Sequence, residues 1–307
     1  MDYSWNTLAD RCQLFVDAER PLLVELLKEA QSEMSNACMM YDSVFTYQGS
    51  QLGVYENRNT NYGVLPSDYL QDIGVWCNGV KLKKLDEGNL FFEDNGATDY
   101  KRNQPDSGEP YAYCISGGHI QFNSMPESGD QIMLYYKARI TSPNVAKLTY
   151  FKAHSPRYID LPFNYGVELN GLTLKGGSFS ATNLVYSGPV QQMFPKVLDP
   201  YYYNTNREID ADNTSTMGTT SSRYVATYAL VANQNISMGF IEGFGSRCPV
   251  IPAEYHTALC DYAIALSVAK KAPEIHDKHI QLFYQKMEGI VSSDAEKDLI
   301  FNMREVI

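Results

Sequence analysis

Residues 250–270 constrain this chain most. Pro252 suits a first helical turn, where a fixed φ and a missing N–H donor are tolerated; Glu254 suits the positive start of a helix, and Lys270 and Lys271 suit its negative end. Between them Tyr255, Leu259, Tyr262, Ala263, Leu266 and Ala269 recur at helical spacing, and their small neighbours permit close approach of a second helix. That apolar face needs a cover. Residues 21–41 carry a matching stripe of Leu22, Leu23, Leu26, Leu27, Ala30, Met34, Ala37 and Cys38, with Pro21 placed to open it. Residues 5–18 and a second amphipathic run at 276–290 add further helical material. The expected fold is therefore α+β: a helical bundle formed by N- and C-terminal helices, with a large antiparallel β-rich insertion. The expected domains are a helical core from 1–45 and 250–307, a β-hairpin insertion at 46–147, and an additional β-rich region with an exposed loop at 148–249.

The insertion reads as strands and turns. Asn78-Gly79 stands between two apolar runs and accepts the positive φ of a type I′ turn, which predicts a hairpin. Residues 116–122 and 131–137 read as two further strands around the turn 125–130, and the polar segment 93–110 reads as a loop. Asn170-Gly171 in a similar setting suggests either a duplicated hairpin or the same turn chemistry used twice. Residues 199–223, with Tyr201, Tyr202 and Tyr203 in sequence and many Asn, Ser and Thr, read as a long exposed loop that orders only against a partner.

Charge and motifs exclude several functions. A net charge of −11 disfavours a reader of the phosphate backbone, because such affinity is built from Lys and Arg. The six cysteines are scattered with no C-x-x-C pair and read as reduced thiols in a cytoplasm-like compartment. The N-terminus lacks the regions of a signal peptide and no apolar run approaches membrane-spanning length, so a soluble, unsecreted chain with no membrane contact is expected. Phosphate-loop, dinucleotide, zincin and serine-elbow motifs do not occur. Asp210-Ala-Asp212-Asn213 begins like a calcium loop, but Ser215 and Ser221 occupy positions that need Gly and Glu. His276 with His279, and His256 with Cys260, could each supply half a metal site; with no third and fourth ligands in view they read as ordinary helix side chains. No catalytic residue, cofactor or metal is expected. The 23 tyrosines suit extended protein contact as well as they suit strands, with carbohydrate binding a third possibility.

Taken in order, Val64-Leu-Pro-Ser-Asp-Tyr-Leu70, the Asn78-Gly79 turn, Gly117-Gly-His-Ile-Gln-Phe, Pro126-Glu-Ser-Gly-Asp-Gln-Ile-Met-Leu-Tyr-Tyr136 and Ile251-Pro-Ala-Glu-Tyr-His-Thr-Ala-Leu resemble the head-to-tail adaptor proteins of tailed bacteriophages. The resemblance covers about 5–137 and 249–290; residues 148–246 have no counterpart in a minimal adaptor. It implies a structural virion protein, assembled in the host cytoplasm, that forms a ring, usually of twelve copies, docks under the portal protein, and offers tail or nozzle proteins an attachment surface. Genomic DNA would pass through the lumen without specific binding, and an acidic lining suits that passage. A closed ring requires two different contact faces on each subunit.

Adaptors of this family use their C-terminal segment to grip the portal, so the apolar residues Leu299, Phe301, Met303 and Ile307 are implied as an interface, with Tyr201, Tyr202 and Tyr203 a second candidate. The alternatives from other classes are a tail-associated glycan hydrolase using two of the many carboxylates, and a glycan- or receptor-binding tail module.

Overall fold

A computed structural model describes residues 4–48, 54–55, 58–59, 62–86, 108–142, 145–154, 157–162, 165–176, 179–195, 216–226 and 236–304. Among them four α-helices occur: α1 (Trp5–Cys12), α2 (Arg20–Ala37), α3 (His256–Val268) and α4 (Pro273–Arg304). Ser4 caps α1 by accepting the Thr7 N–H at 3.2 Å, and Pro21 stands in the first turn of α2. The two chain ends share one apolar core, in which Leu23, Leu27 and Met34 of α2 pack with Leu259 and Ala263 of α3 and Phe283 of α4.

The stripe that reaches this core differs from the one the spacing suggested. Leu22 and Ala37 are exposed and Leu26 is half-buried, whereas Gln31 and Ser35 are buried, because α2 turns its 23–27–30–34 face inward. Helix α1 stops at Cys12 instead of running to residue 18, and α3 begins only at His256, after a 3₁₀ turn over Ala253–Tyr255. Buried residues lie almost all round α3, from Ala258 through Ala265, which marks it as the central helix of this core.

The expected fold class is overturned. Among the described residues strands outnumber helices and form sheets of seven, four, four and two strands, and the helices are not a bundle into which β-structure is inserted. The chain divides into two compact units, and the one that holds the helices also holds residues 139–196. Sequence periodicity could not show this, because it identifies an apolar strand without saying which distant strand will cover it.

The smaller unit, residues 42–138 with 197–207, contains β1 (Asp42–Gln48), β2 (Val54–Tyr55), β3 (Arg58–Asn59), β4 (Tyr62–Val64), β5 (Tyr69–Cys77), β6 (Val80–Lys81), β7 (Lys83–Lys84), β8 (Ala112–Ser116), β9 (His119–Phe122) and β10 (Gln131–Ala138). One sheet has the order β1-β10-β5-β6 and another β4-β9-β8-β7, with β7 and β8 parallel. Asn78 (φ 50°) and Gly79 (φ 87°) make the expected tight turn between β5 and β6. The expected strand at 116–122 is instead a turn and a strand: Gly117 and Gly118, with φ 57° and 81°, join β8 to β9 so that Ser116 faces His119.

The larger unit adds β11 (Lys147–Ala153), β12 (Tyr158–Leu161), β13 (Thr173–Gly176), β14 (Phe179–Ala181), β15 (Val185–Pro195), β16 (Thr216–Val225) and β17 (Ile236–Glu242) in the order β14-β13-β17-β11-β12-β16-β15. Phe151, Ile159, Leu174, Tyr224, Ile241 and Phe244 form its own apolar core. The second Asn-Gly pair makes no hairpin: residues 166–169 are a 3₁₀ turn, and Asn170 (φ −59°) and Gly171 (φ 82°) form a type II-like turn closed by Leu172 N–H to Leu169 C=O at 3.1 Å.

Candidate functional site

Chemistry concentrates at three carboxylates that the fold withdraws from water. Asp160 on β12 is fully buried and is held by Arg223 on β16 through two bonds of 2.8 and 2.9 Å, with His154 Nε2 at 2.7 Å. This two-pronged pairing satisfies both oxygens, and the Asp160 carboxylate in turn raises the Arg223 guanidinium above its ordinary value. Asp72 on β5 accepts from Lys84 at 2.7 Å, Tyr113 at 2.8 Å and Tyr69 at 3.2 Å. Burial alone would push this carboxyl up; the bonds from Lys84 and Tyr113 outweigh it and hold the group below its ordinary value. Asp261 on α3 accepts from His279 Nδ1 at 2.9 Å and from Lys286, both on α4.

Each of these carboxylates is engaged by cations or hydroxyls, an arrangement that locks elements together. Among the described residues no group of three or more His, Cys, Asp or Glu is arranged to hold a metal.

Two cysteines and three histidines lie on helices α1, α3 and α4. Cys12 Sγ lies 4.0 Å from the Cys260 carbonyl and Cys260 Sγ 4.0 Å from the Leu8 carbonyl, so the two thiols face each other between α1 and α3. Their mutual hydrogen bond lowers the Cys260 thiol and, together with burial, raises that of Cys12. His256 is not paired with Cys260; its Nε2 bonds the Ile251 carbonyl at 3.2 Å. His276 meets its neighbour Asp277, and His279 turns to Asp261, so the two histidines do not converge. Nearby, Glu254, Tyr255, Ala258, Lys286, Gly289 and Ile290 line a cleft of about 300 Å³. Its small size, mixed lining and lack of converging polar groups do not specify a ligand.

Within each unit, stretches that carried the adaptor resemblance are tied to other elements by hydrogen bonds. In the smaller unit Asn78 donates to Asp130 at 2.8 Å and accepts the Gln131 N–H at 3.1 Å, while the Asn78 N–H bonds the Gln131 carbonyl at 3.0 Å, tying the Asn-Gly turn to the 126–130 turn. Leu65 N–H bonds the Gly118 carbonyl at 3.1 Å, joining the Val64-Leu-Pro stretch to the Gly-Gly turn. In the larger unit the stretch before α3 is anchored to α2, where Gln31 accepts the Val250 N–H at 2.7 Å. These hydrogen-bonded clamps are invisible to periodicity, although Asn-Gly and Pro-Glu-Ser-Gly-Asp announce turns that take part in them.

Of the implied interface residues, Leu299, Phe301 and Met303 lie on the last turns of α4, which runs without a break to Arg304; Ile307 and Tyr201, Tyr202 and Tyr203 lie outside the described residues, as do residues 199–215 of the expected loop. Residues 216–223, expected to belong to that loop, are strand β16. No helix among the described residues is long and apolar enough to cross a membrane. No protein-family model and no curated protein matches this chain.

Proposed function

We propose that this chain is a structural phage protein, a head-to-tail adaptor that assembles into a ring under a portal and offers a surface to tail or nozzle proteins. The observation that carries the reading is the convergence of its motif stretches. Val64-Leu-Pro is hydrogen-bonded to the Gly117-Gly118 turn, and Asn78-Gly79 to the 126–131 turn, so within the smaller unit the motif stretches are tied together in two pairs across long sequence separations. Turns held by such clamps are presented rigidly, which lowers the ordering cost of docking. The acidic charge of −11 fits a lumen that lets DNA pass without sticking. In this role the helix end carrying Leu299, Phe301 and Met303 grips the portal.

Mass measurement in solution tests the proposal. The purified chain, alone or mixed with its portal, is expected to form a closed oligomer of many copies, and deletion of residues after Val291 is expected to abolish portal binding. A chain that stays a small species both alone and with portal would refute the ring, and the hydrolase and glycan-binding alternatives would then stand ahead of it.

A further inference from the structure

Two of the six thiols meet across a helix seam. Cys12 is the last residue of α1 and Cys260 stands on α3, 248 positions away in sequence. Cys12 Sγ reaches to 4.0 Å from the carbonyl of Cys260 itself, and Cys260 Sγ to 4.0 Å from the carbonyl of Leu8, one turn before Cys12. Each sulfur thus crosses to the backbone of the opposite helix, which sets the two side chains against each other. Cys38, the other thiol of this core, turns instead to the Met287 carbonyl at 3.9 Å.

The seam is built for close approach and is held in place from outside the pair. Ala9 of α1 and Ala258 and Ala263 of α3 are buried in the same core, and small residues at a contact bring two helix axes together, as a disulfide between them requires. At the start of α1, the Trp5 indole N–H donates to the Gly245 carbonyl at 2.8 Å and the Trp5 backbone N–H to the Arg247 carbonyl at 3.1 Å. The two thiols are therefore positioned before any reaction.

They are also unequal. Cys12 is fully buried, whereas Cys260 is partly exposed. The hydrogen bond from Cys12 lowers the Cys260 thiol, and the positive charges of Arg11 and Lys286 act in the same direction, against burial and Asp261. The bond to Cys260 and burial raise the Cys12 thiol. A thiolate is the species that attacks a disulfide, so the sulfur that solvent reaches is also the one that ionises more readily. A cysteine that serves only as a small apolar filler is buried and inert. Cys12 alone would fit that description; the pair does not.

We infer that Cys12 and Cys260 form a redox-modification site, at which a small-molecule disulfide of the oxidised-glutathione class converts the two thiols into a bond that staples α1 to α3. The Cys260 thiolate attacks one sulfur of the small disulfide, which leaves a mixed disulfide on Cys260 and releases the first small thiol. Cys12 then gives up its proton and attacks Cys260 Sγ, which forms the internal bond and releases the second. Two electrons pass from the protein to the small disulfide, and the protons of both cysteines end on the two small thiols. An excess of small thiol runs the exchange backwards. Because the bond joins residues 248 positions apart, it removes more freedom from the unfolded chain than a bridge across a short loop. Both residues belong to one chain, so the site does not depend on the ring reading.

Thiol mapping of the full folded chain by mass spectrometry tests this. The protein is incubated with oxidised glutathione, quenched in acid, unfolded, and its remaining thiols blocked with iodoacetamide. Trypsin and chymotrypsin are used together, because a tryptic fragment alone holds both Cys248 and Cys260. The wild type is expected to lose two thiols and to yield the Cys12 peptide joined to the Cys260 peptide, with Cys38, Cys77, Cys114 and Cys248 still open to the blocking reagent. In Cys12→Ala the reaction should stop with glutathione retained on Cys260, and in Cys260→Ala the Cys12 thiol should stay unmodified. The oxidised wild type should melt at a higher temperature than the reduced one and return to it with dithiothreitol. A wild-type chain in which both thiols survive, in which Cys260 keeps its glutathione, or in which either residue pairs with another cysteine would overturn the inference, whatever the stability of the variants. Glutathione on Cys12 in Cys260→Ala would overturn the order of attack, and an internal bond that leaves the melting temperature unchanged would overturn the staple.

Discussion

Acidification should destabilise this protein through one buried histidine. His256 stands at the start of α3 with 3 % of its surface exposed, its Nε2–H donating to the Ile251 carbonyl at 3.2 Å. Burial is the main reason that its pKa falls from 6.5 to about 4, and the positive charges of Lys147 and Arg11 add to it; the bond to Ile251 acts the other way and is outweighed. The positive end of the helix also disfavours an imidazolium there. Below pH 6.5 the unfolded chain binds a proton that the folded chain refuses until about pH 4. The stability contribution is therefore complete above the unfolded value and is lost as pH falls through this window. A fall of that size corresponds to roughly 3 kcal/mol, a large share of the stability of an ordinary domain.

Urea denaturation at a series of pH values across the window measures the effect, with His256→Gln as the comparison. Glutamine keeps an N–H for the Ile251 carbonyl and does not titrate. The wild type is expected to lose roughly 3 kcal/mol between neutral pH and about pH 4, while the variant, less stable at neutral pH, should lose much less. Asp72 does not confuse the comparison, because its carboxyl is held below the ordinary value of 3.8 and its contribution is lost only at lower pH. Parallel pH profiles for the two proteins would refute the buried neutral histidine.

Three substitutions test the packing by the same denaturation assay. Leu27→Ala on α2, at a fully buried position, is expected to cost about 2–5 kcal/mol, and Leu26→Ala at its half-buried neighbour clearly less; equal losses would contradict the observed facing of the helix. Gly74→Ala on β5 would bring a methyl group within 2.6 Å of the Trp76 ring, itself only 1 % exposed, so overpacking should cost about 1–3 kcal/mol; an unchanged melting point would mean that the ring moves aside freely.

The sequence by itself determined the local events. Helices at both ends of the chain followed from apolar spacing and from Pro21, and the Asn78-Gly79 turn followed from residues that tolerate positive φ, because both depend on neighbours within a few positions. Even locally, context intervened at the second Asn-Gly pair, where the preceding residues form a 3₁₀ turn and no strand is present to be reversed.

Only the tertiary structure decided the fold class. The pairings of β17 with β11 and β13 and of β12 with β16 join strands remote in sequence, so this sheet is not specified by local pattern alone. The same holds for the polar contacts: nothing around Asp160 announces Arg223, nothing around Asp261 announces Lys286, and Gln31 reads as a surface residue until Val250 donates to it. Pairing across such distances is chosen by which apolar faces and buried polar groups can be satisfied together, a condition that a one-dimensional pattern does not contain.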